Sequence, residues 1–168
     1  MNSKIIKAAV IYYYRFKRRH LYFCTEYNNE ADVLCSNGVG RFDEIEIKIS
    51  WSDFLADFKK VKHEEYRTGK LNYGGRNLTP TYFWFAAPIE LAKRIHIYIL
   101  EHKLPYGVYL YDEKDKCVNV LHTAKKLNAG KCDLELRGIL ARMGSELAWK
   151  LKRDNLKILE QTNNKEYK

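Results

Sequence analysis

The pattern of apolar residues in the first half of the chain changes from helical to strand-like. Apolar side chains recur at helical spacing over residues 3–19, which predicts an amphipathic helix with Ser3 in position to cap it. Strand-like apolar runs then predict strands over residues 21–27, 32–36 and 42–50. The last of these strands alternates most clearly. An Asn-Gly loop lies between the second and third strands and predicts a hairpin that joins them.

The second half of the chain is predicted to continue with helices and a buried strand. A helix is expected from Ser52 or Asp53 to about Tyr66, followed by a glycine-rich loop over residues 68–80. Residues 82–87 are apolar without polar alternation, which predicts a central strand covered on both faces. The remaining predicted elements are a helix over 88–101 with Pro88 in its first turn, strands over 107–111 and 117–121, and a helix over 133–153.

The order of the predicted elements is α-β-β-β-α-β, followed by α-β-β-α. It predicts an α/β fold with a mixed central sheet flanked by helices. The length of 168 residues favours a single domain over residues 1–154, with a polar tail over residues 155–168. No uncharged run reaches the ~18 residues of a membrane helix, and lysines interrupt the N-terminal apolar stretch, so no signal peptide is expected. We therefore expect a cytoplasmic protein without a membrane partner.

The net charge and the spacing of the cysteines indicate which partners and which metal sites to expect. The chain has 30 Lys and Arg against 21 Asp and Glu, and its net charge of +9 suits a polyanionic partner. A generally basic soluble protein is the alternative interpretation. The four cysteines form no C-x-x-C pair, which argues against a zinc site. Cys24 and Cys35 fall in strand-like runs and are expected to be buried.

The third predicted strand carries the most specific chemistry. Its isoleucines share one face, while Glu46 and Lys48 share the other. The hairpin brings Asp32 of the preceding strand near Glu46. Two carboxylates, with the backbone carbonyl of Ile47, suit Mg²⁺, which takes one or two carboxylates plus waters and substrate phosphate oxygens. Lys48 would orient a water or stabilise the transition state. Because charged residues make up 30% of the chain, a solvated hairpin face is the alternative interpretation.

The residues around this strand resemble a known family of nucleases. The segment Glu46-Ile-Lys48-Ile-Ser50, followed by Asp53-Phe54, Asp57, Lys59-Lys60 and Lys62-His63, is similar to the PD-(D/E)XK nuclease superfamily. More narrowly, it resembles the MmcB-like DNA-repair branch and related phage or prophage proteins. The segment Glu30-Ala31-Asp32-Val33, the aromatic strand that ends at Pro88, and the Leu104-Pro105-x-Gly107-Val108 segment extend the resemblance over about residues 21–145.

The resemblance implies a restriction-endonuclease-like core with Asp32, Glu46 and Lys48 as the catalytic site. It also implies Mg²⁺ or Mn²⁺ as cofactor, DNA as partner, and a bacterial or phage-infected cell as the location. A homodimer is left open. Many members carry a glutamate on the first helix, but residues 3–19 contain no acid. Glu26 or Glu30 would have to take its place as a metal ligand.

Several residues after the third strand are candidates for support or DNA contact: Ser50, Asp53, Asp57, Lys59, Lys60 and His63. Asp53 and Asp57 lie four apart on one helical face and would hold the helix near the site. Alternatively, Asp53 caps the helix and Asp57 forms a solvated ion pair. Lys59, Lys60 and Lys62 would contact phosphates or form a solvated face. His63 would carry protons or be a hydrogen-bonded structural histidine.

Three functions follow from these residues. The first is a metal-dependent deoxyribonuclease in DNA repair, recombination or phage DNA processing. The second is a catalytically degenerate nucleic-acid-binding module of the same fold. The third is an interaction protein that kept the fold and recruits a partner. The first two functions predict a DNA affinity that falls steeply as the salt concentration rises, whereas the third predicts no DNA affinity at moderate salt.

Overall fold

The computed structural model describes residues 2–27, 31–68 and 80–127, together with the helical positions 138, 141 and 144. Within them lie six strands: β1 (Tyr22–Tyr27), β2 (Ala31–Ser36), β3 (Phe42–Ile47), β4 (Tyr82–Pro88), β5 (Gly107–Asp112) and β6 (Cys117–His122). The α-helices with described bounds are α1 (Ser3–Tyr12), α2 (Trp51–Asp57), α3 (Val61–Thr68) and α4 (Ile89–Glu101), and a π-helical turn (Tyr13–Lys17) continues α1.

The six strands form one mixed sheet in the order β1-β2-β3-β4-β5-β6. Strands β3, β4 and β5 run parallel, and the pairs β1–β2, β2–β3 and β5–β6 are antiparallel. The hairpin predicted between β2 and β3 is confirmed, because Ser36 pairs with Phe42 around the Asn-Gly loop. The chain is therefore a single α/β domain built on a six-stranded mixed sheet.

Helices cover both faces of this sheet, and each face has its own core. Ile6 and Val10 of α1 pack with Ile45 and Trp84 on one face. The other face packs against the remaining three helices, with buried residues such as Phe54, Tyr66 and Ile95. Strand β4 contributes Phe83 and Phe85 to this second core, while Trp84 belongs to the first. The prediction of a central strand covered on both faces is confirmed.

Several predicted helix limits were wrong. Asn2 caps α1 by accepting the N–H of Lys4 at 2.9 Å, and the α-helical part ends at Tyr12. Pro88 precedes α4 as its N-cap and does not belong to its first turn. The helix expected to run to Tyr66 is two helices, since the chain turns after Asp57 before α3 begins. After this turn, Lys59 and Lys60 are exposed and Lys62 is buried.

Some predicted elements lie outside the described residues. These are most of the loop predicted over 68–80, most of the helix predicted over 133–153, and the tail from residue 155. Residues 138, 141 and 144 of the predicted last helix are helical. Among the helices that the structure describes, none has the length and apolar character needed to cross a membrane.

Candidate functional site

A cavity of about 290 Å³ lies at the carboxyl end of β3 and contains all three predicted catalytic residues. Asp32, Glu46 and Lys48 line it together with residues of α1, β1 and α2. The other lining residues are Ser3, Glu26, Ala31, Ile47, Ile49, Asp53 and Lys60. The register of the β2–β3 hairpin explains why the two carboxylates are close together. Val33 pairs with Ile45, and the next position along each strand brings Asp32 beside Glu46. We call this space the β3 cavity.

Asp32 is held from two sides. Its Oδ2 atom accepts the backbone N–H of Ile47 at 2.9 Å. Its Oδ1 atom lies 3.0 Å from Nζ of Lys7 on α1. The side chain remains 25% exposed. Asp32 therefore presents a partly solvated carboxylate, and the backbone N–H of Ile47 at the end of β3 orients it.

Glu46 is buried and surrounded by lysines. Its Oε1 atom accepts a hydrogen bond from Lys62 at 2.5 Å, and its Oε2 atom accepts one from Lys48 at 3.2 Å. Nζ of Lys60 lies 3.5 Å from the same Oε2 atom. Burial raises the pKa of Glu46 to about 7, against the lowering effect of the Lys62 and Lys48 charges. The carboxylate is thus desolvated, and it depends on these lysines for its charge balance.

Lys48 follows β3 directly and is fixed between two carboxylates. Its N–H bonds to the carbonyl of Ala86 at 2.9 Å, which continues the pairing of β3 with β4. Its Nζ atom donates to Asp57 Oδ1 at 2.9 Å as well as to Glu46. Burial by itself lowers the pKa of Lys48, but the charges of Glu46 and Asp57 outweigh it, so the pKa is raised. Lys48 is therefore a protonated cation in a defined position.

Asp57 at the end of α2 organises the turn to α3. Besides Lys48, it accepts hydrogen bonds from Lys60 at 2.6 Å and from Nε2 of His63 at 2.7 Å. Nδ1 of His63 lies 2.9 Å from the hydroxyl of Tyr106. Burial lowers the pKa of His63 even though Asp57 acts in the opposite direction. Both ring nitrogens are engaged, which favours the structural alternative for His63 over a proton carrier.

The structure decides between several alternatives for the supporting residues. The cap of α2 is Ser50, whose Oγ accepts the N–H of Asp53 at 3.2 Å, so the prediction of Ser52 or Asp53 as the cap was wrong. The solvated ion pair considered for Asp57 is also wrong, because that side chain is fully buried. Asp53 is 46% exposed and lies 3.8 Å from Lys48.

The three lysines expected at phosphates have different surroundings. Lys59 is exposed, and Lys60 is 41% exposed while bound to Asp57. Lys62 is buried, and both Glu44 and Glu46 accept hydrogen bonds from it. The expected phosphate contact is therefore wrong for Lys62, because this ammonium group is buried between two carboxylates and does not line the β3 cavity. Lys59 and Lys60 keep the exposure that a phosphate contact requires.

Sequence reasoning missed two members of the site, Glu44 and Lys7. Glu44 has the same strand parity as Glu46, a signal that the alternation of β3 already contained. It is buried and accepts hydrogen bonds from Lys62 at 2.9 Å and from Tyr66 at 2.5 Å. Lys7 lies one helical turn after Ser3, on the side of α1 that reaches the β3 cavity.

The two candidates for a third acid have different outcomes. Glu26 lines the β3 cavity and is hydrogen-bonded to Lys7, and it adopts a left-handed backbone conformation with φ of +55°. Glu30 lies outside the described residues. Helix α1 itself contains no acid.

The donors of the β3 cavity fit a hard divalent cation. Asp32 and Glu46 supply carboxylate oxygens, the ligand type that Mg²⁺ prefers, and this ion commonly uses only one or two carboxylates with waters and substrate oxygens. Among residues 2–27, 31–68 and 80–127, no group of three or more His, Cys, Asp or Glu is arranged to hold a metal ion. A cation held by Asp32 and Glu46 would take its remaining ligands from water and substrate oxygens.

A second cavity of about 390 Å³ lies on the other side of Lys60. Its lining includes the aromatic rings of Phe58, Tyr98 and Tyr106. It is larger than the β3 cavity, but it contains none of Asp32, Glu46 and Lys48. We place the candidate chemistry in the β3 cavity because the converging charged groups lie there.

Comparison with known proteins informs the fold alone. A protein of unknown function from Silicibacter pomeroyi, SPO1766, is similar in structure, with a TM-score of 0.57 and 16% sequence identity over 90% of each chain. No family model matches the chain, and no curated protein matches it by sequence.

Proposed function

We propose that this protein is a metal-dependent deoxyribonuclease that hydrolyses phosphodiester bonds in DNA. The observation that carries the proposal is the convergence of Asp32, Glu46 and Lys48 in the β3 cavity. The three residues come from two strands and the chain just after β3, and their types match the needs of phosphodiester cleavage: oxygen ligands for a cation, and a positioned positive charge. A role in DNA repair, recombination or phage DNA processing rests on the sequence resemblance.

The order of elements supports the same proposal. Helix α1, the β1–β2–β3 meander, α2 with α3, and β4 follow the α-β-β-β-α-β order of the restriction-endonuclease-like core. We propose this core as the finer description of the fold. Strands β3 and β4 run parallel, so their carboxyl ends lie at the same end of the sheet.

Each residue of the site has a proposed role. Asp32 and Glu46 would hold Mg²⁺ or Mn²⁺, which when bound neutralises charge at the scissile phosphate and lowers the pKa of a bound water. Lys48, which is held by Glu46 and Asp57 and lines the β3 cavity, would stabilise negative charge that accumulates on the phosphate. Asp57 orients Lys48 and does not face the substrate, because it is fully buried.

DNA is the proposed substrate because of charge. The net charge of +9 favours association with a polyanion. Lys59 and Lys60 lie at the turn between α2 and α3, and Lys60 itself lines the β3 cavity. Contacts between these side chains and phosphates would place the DNA backbone beside Asp32 and Glu46.

The test is cleavage of a panel of labelled single-stranded, duplex and branched DNAs with Mg²⁺ or Mn²⁺. We expect metal-dependent cleavage by the wild-type protein and its loss in Asp32→Asn and Glu46→Gln. Lys93→Met is a matched control, because the exposed pair of Lys93 with Glu90 lies on α4 and does not line the β3 cavity. Cleavage that persists in both acid variants would refute the assignment of this site.

A catalytically degenerate DNA-binding module is the second candidate, and two observations favour it. Lys62, Lys48 and Lys60 all lie within 3.5 Å of the Glu46 carboxylate. In addition, no set of three metal ligands exists among the described residues. This candidate predicts equal, salt-sensitive DNA binding by the wild-type protein and Glu46→Gln, with no cleavage by either.

A further inference from the structure

The lysines around the β3 cavity are not equivalent. Lys62 is buried and shared with Glu44, and Lys48 and Lys60 are both bonded to Asp57. Each of these three therefore has a partner that does not line the cavity. Lys7 differs from them, because the partners that the structure gives it are Glu26 and Asp32, both of which line the cavity.

Glu26 and Asp32 form a pair of facing carboxylates. Strand β1 pairs Thr25 with Val33 and Tyr27 with Ala31, so Glu26 lies across from Asp32. Its φ of +55° is a conformation that residues with a Cβ rarely adopt and that often marks functional sites. Both carboxylates share the ammonium group of Lys7, whose side chain is only 14% exposed. A single positive charge thus compensates two acids at the mouth of the cavity.

We propose that Lys7 is an internal cation that competes with the metal ion for Asp32 and Glu26. This inference rests on the proposed function, because it concerns metal uptake by the same site. One oxygen of Asp32 is committed to the Ile47 N–H, and the other lies against Lys7. A divalent cation that uses this second oxygen would lie close to the Lys7 ammonium group and be repelled by it. Metal uptake by the free protein is therefore weaker than the carboxylates alone would give.

Lys7 can be displaced without disturbing the fold. Its partners are partly solvated, with Glu26 63% and Asp32 25% exposed. Helix α1 is anchored by buried residues such as Ile6 and Val10, which pack in the core beside β3 and β4. We therefore expect α1 to keep its position when the Lys7 ion pairs are lost.

The test is the affinity for Mn²⁺, measured without DNA by the electron paramagnetic resonance signal of free Mn²⁺. Lys7→Gln is expected to bind Mn²⁺ about tenfold more tightly than the wild type, because one repelling charge next to the ligands is gone. Lys7→Arg keeps the charge and should retain the wild-type affinity. Lys4→Gln is the matched control: Lys4 is an exposed lysine of α1 whose described hydrogen bond uses its backbone N–H.

The outcomes separate this inference from the proposed function. The double variant Lys7→Gln/Asp32→Asn should lose the gain, which would locate the bound ion at Asp32. Mn²⁺ binding by the wild type that Lys7→Gln does not tighten, or that Lys4→Gln tightens equally, would overturn the role of Lys7 alone. Absence of Mn²⁺ binding in both wild type and Lys7→Gln would overturn the metal site itself, and the role of Lys7 with it. A circular dichroism melt of each variant shows that the comparison is between folded proteins.

Discussion

Removal of the buried ammonium group of Lys62 should be one of the most destabilising single changes in the site. Its Nζ atom lies 2.9 Å from Glu44 and 2.5 Å from Glu46, and the three side chains are at most 3% exposed. Lys62→Met keeps the length and the apolar stem of the side chain but leaves two buried carboxylates without this cation. Removal of one partner from a buried ion pair costs about 3–5 kcal/mol.

The surroundings place this variant near the lower end of that range. Glu46 retains Lys48 at 3.2 Å and Lys60 at 3.5 Å, and Glu44 retains the hydroxyl of Tyr66. We therefore expect the free energy of unfolding to fall by about 3 kcal/mol. The double variant Lys62→Met/Glu44→Gln removes one of the stranded charges. It should recover about 1–2 kcal/mol, since an unpaired buried charge is more costly than a neutral amide.

The assay is urea unfolding followed by far-ultraviolet circular dichroism at pH 7. The control is Lys93→Met, which removes an exposed ion pair with Glu90 at 2.7 Å and should cost less than about 1 kcal/mol. A loss below about 1 kcal/mol in Lys62→Met would refute the reasoning. A double variant no more stable than Lys62→Met would also refute it, because stranded charge would then not be the cause.

Two further predictions concern the packing of the sheet and its buried thiols. Gly107→Ala should lower the free energy of unfolding by about 3 kcal/mol or more in the same assay, because a Cβ there would overlap the buried ring of Trp84. The control is the exposed Gly138→Ala, whose Cβ meets no atom of the described residues within 4 Å. In native protein at pH 8, Ellman's reagent should leave Cys24 and Cys35 unmodified in peptide mass spectra, since burial raises the pKa of Cys24 to about 12 and that of Cys35 well above its usual value. Because the Cys24 thiol has a higher pKa in the folded state than in the unfolded state, its protonation stabilises the fold. This contribution is fully present below about pH 9 and is lost as pH rises toward 12. Labelling of either thiol before unfolding would contradict the prediction.

Local patterns were sufficient for most of the fold. The uninterrupted apolar run in β4 predicted a strand that is buried on both faces, and the alternation in β3 predicted that its isoleucines and Glu46 lie on opposite faces, although both faces of β3 are buried. The Asn-Gly loop predicted the hairpin that brings β2 beside β3. Strand periodicity and turn residues depend only on neighbouring residues in the chain, so these predictions required no knowledge of the tertiary structure.

The first and last residues of the helices were less predictable, because several residues that could cap the same helix lie close together in the chain. Ser50, Ser52 and Asp53 are all residue types that cap helices. The capping residue is Ser50, because β3 ends at Ile47 and leaves Ser50 in an extended conformation before α2. The break after Asp57 depends on the hydrogen bonds of that carboxylate with Lys48 and His63, which no helical pattern contains.

For this protein, the sequence alone determined the order of the six strands and the common face of Glu46 and Lys48. Only the tertiary structure decided which lysine is buried against Glu46 and which faces solvent, and that Lys7 of α1 pairs with Asp32. The physical reason is that periodicity acts between neighbours in the chain. Pairing between charges depends on distances between elements far apart in sequence, and these are set only when both faces of the sheet are packed.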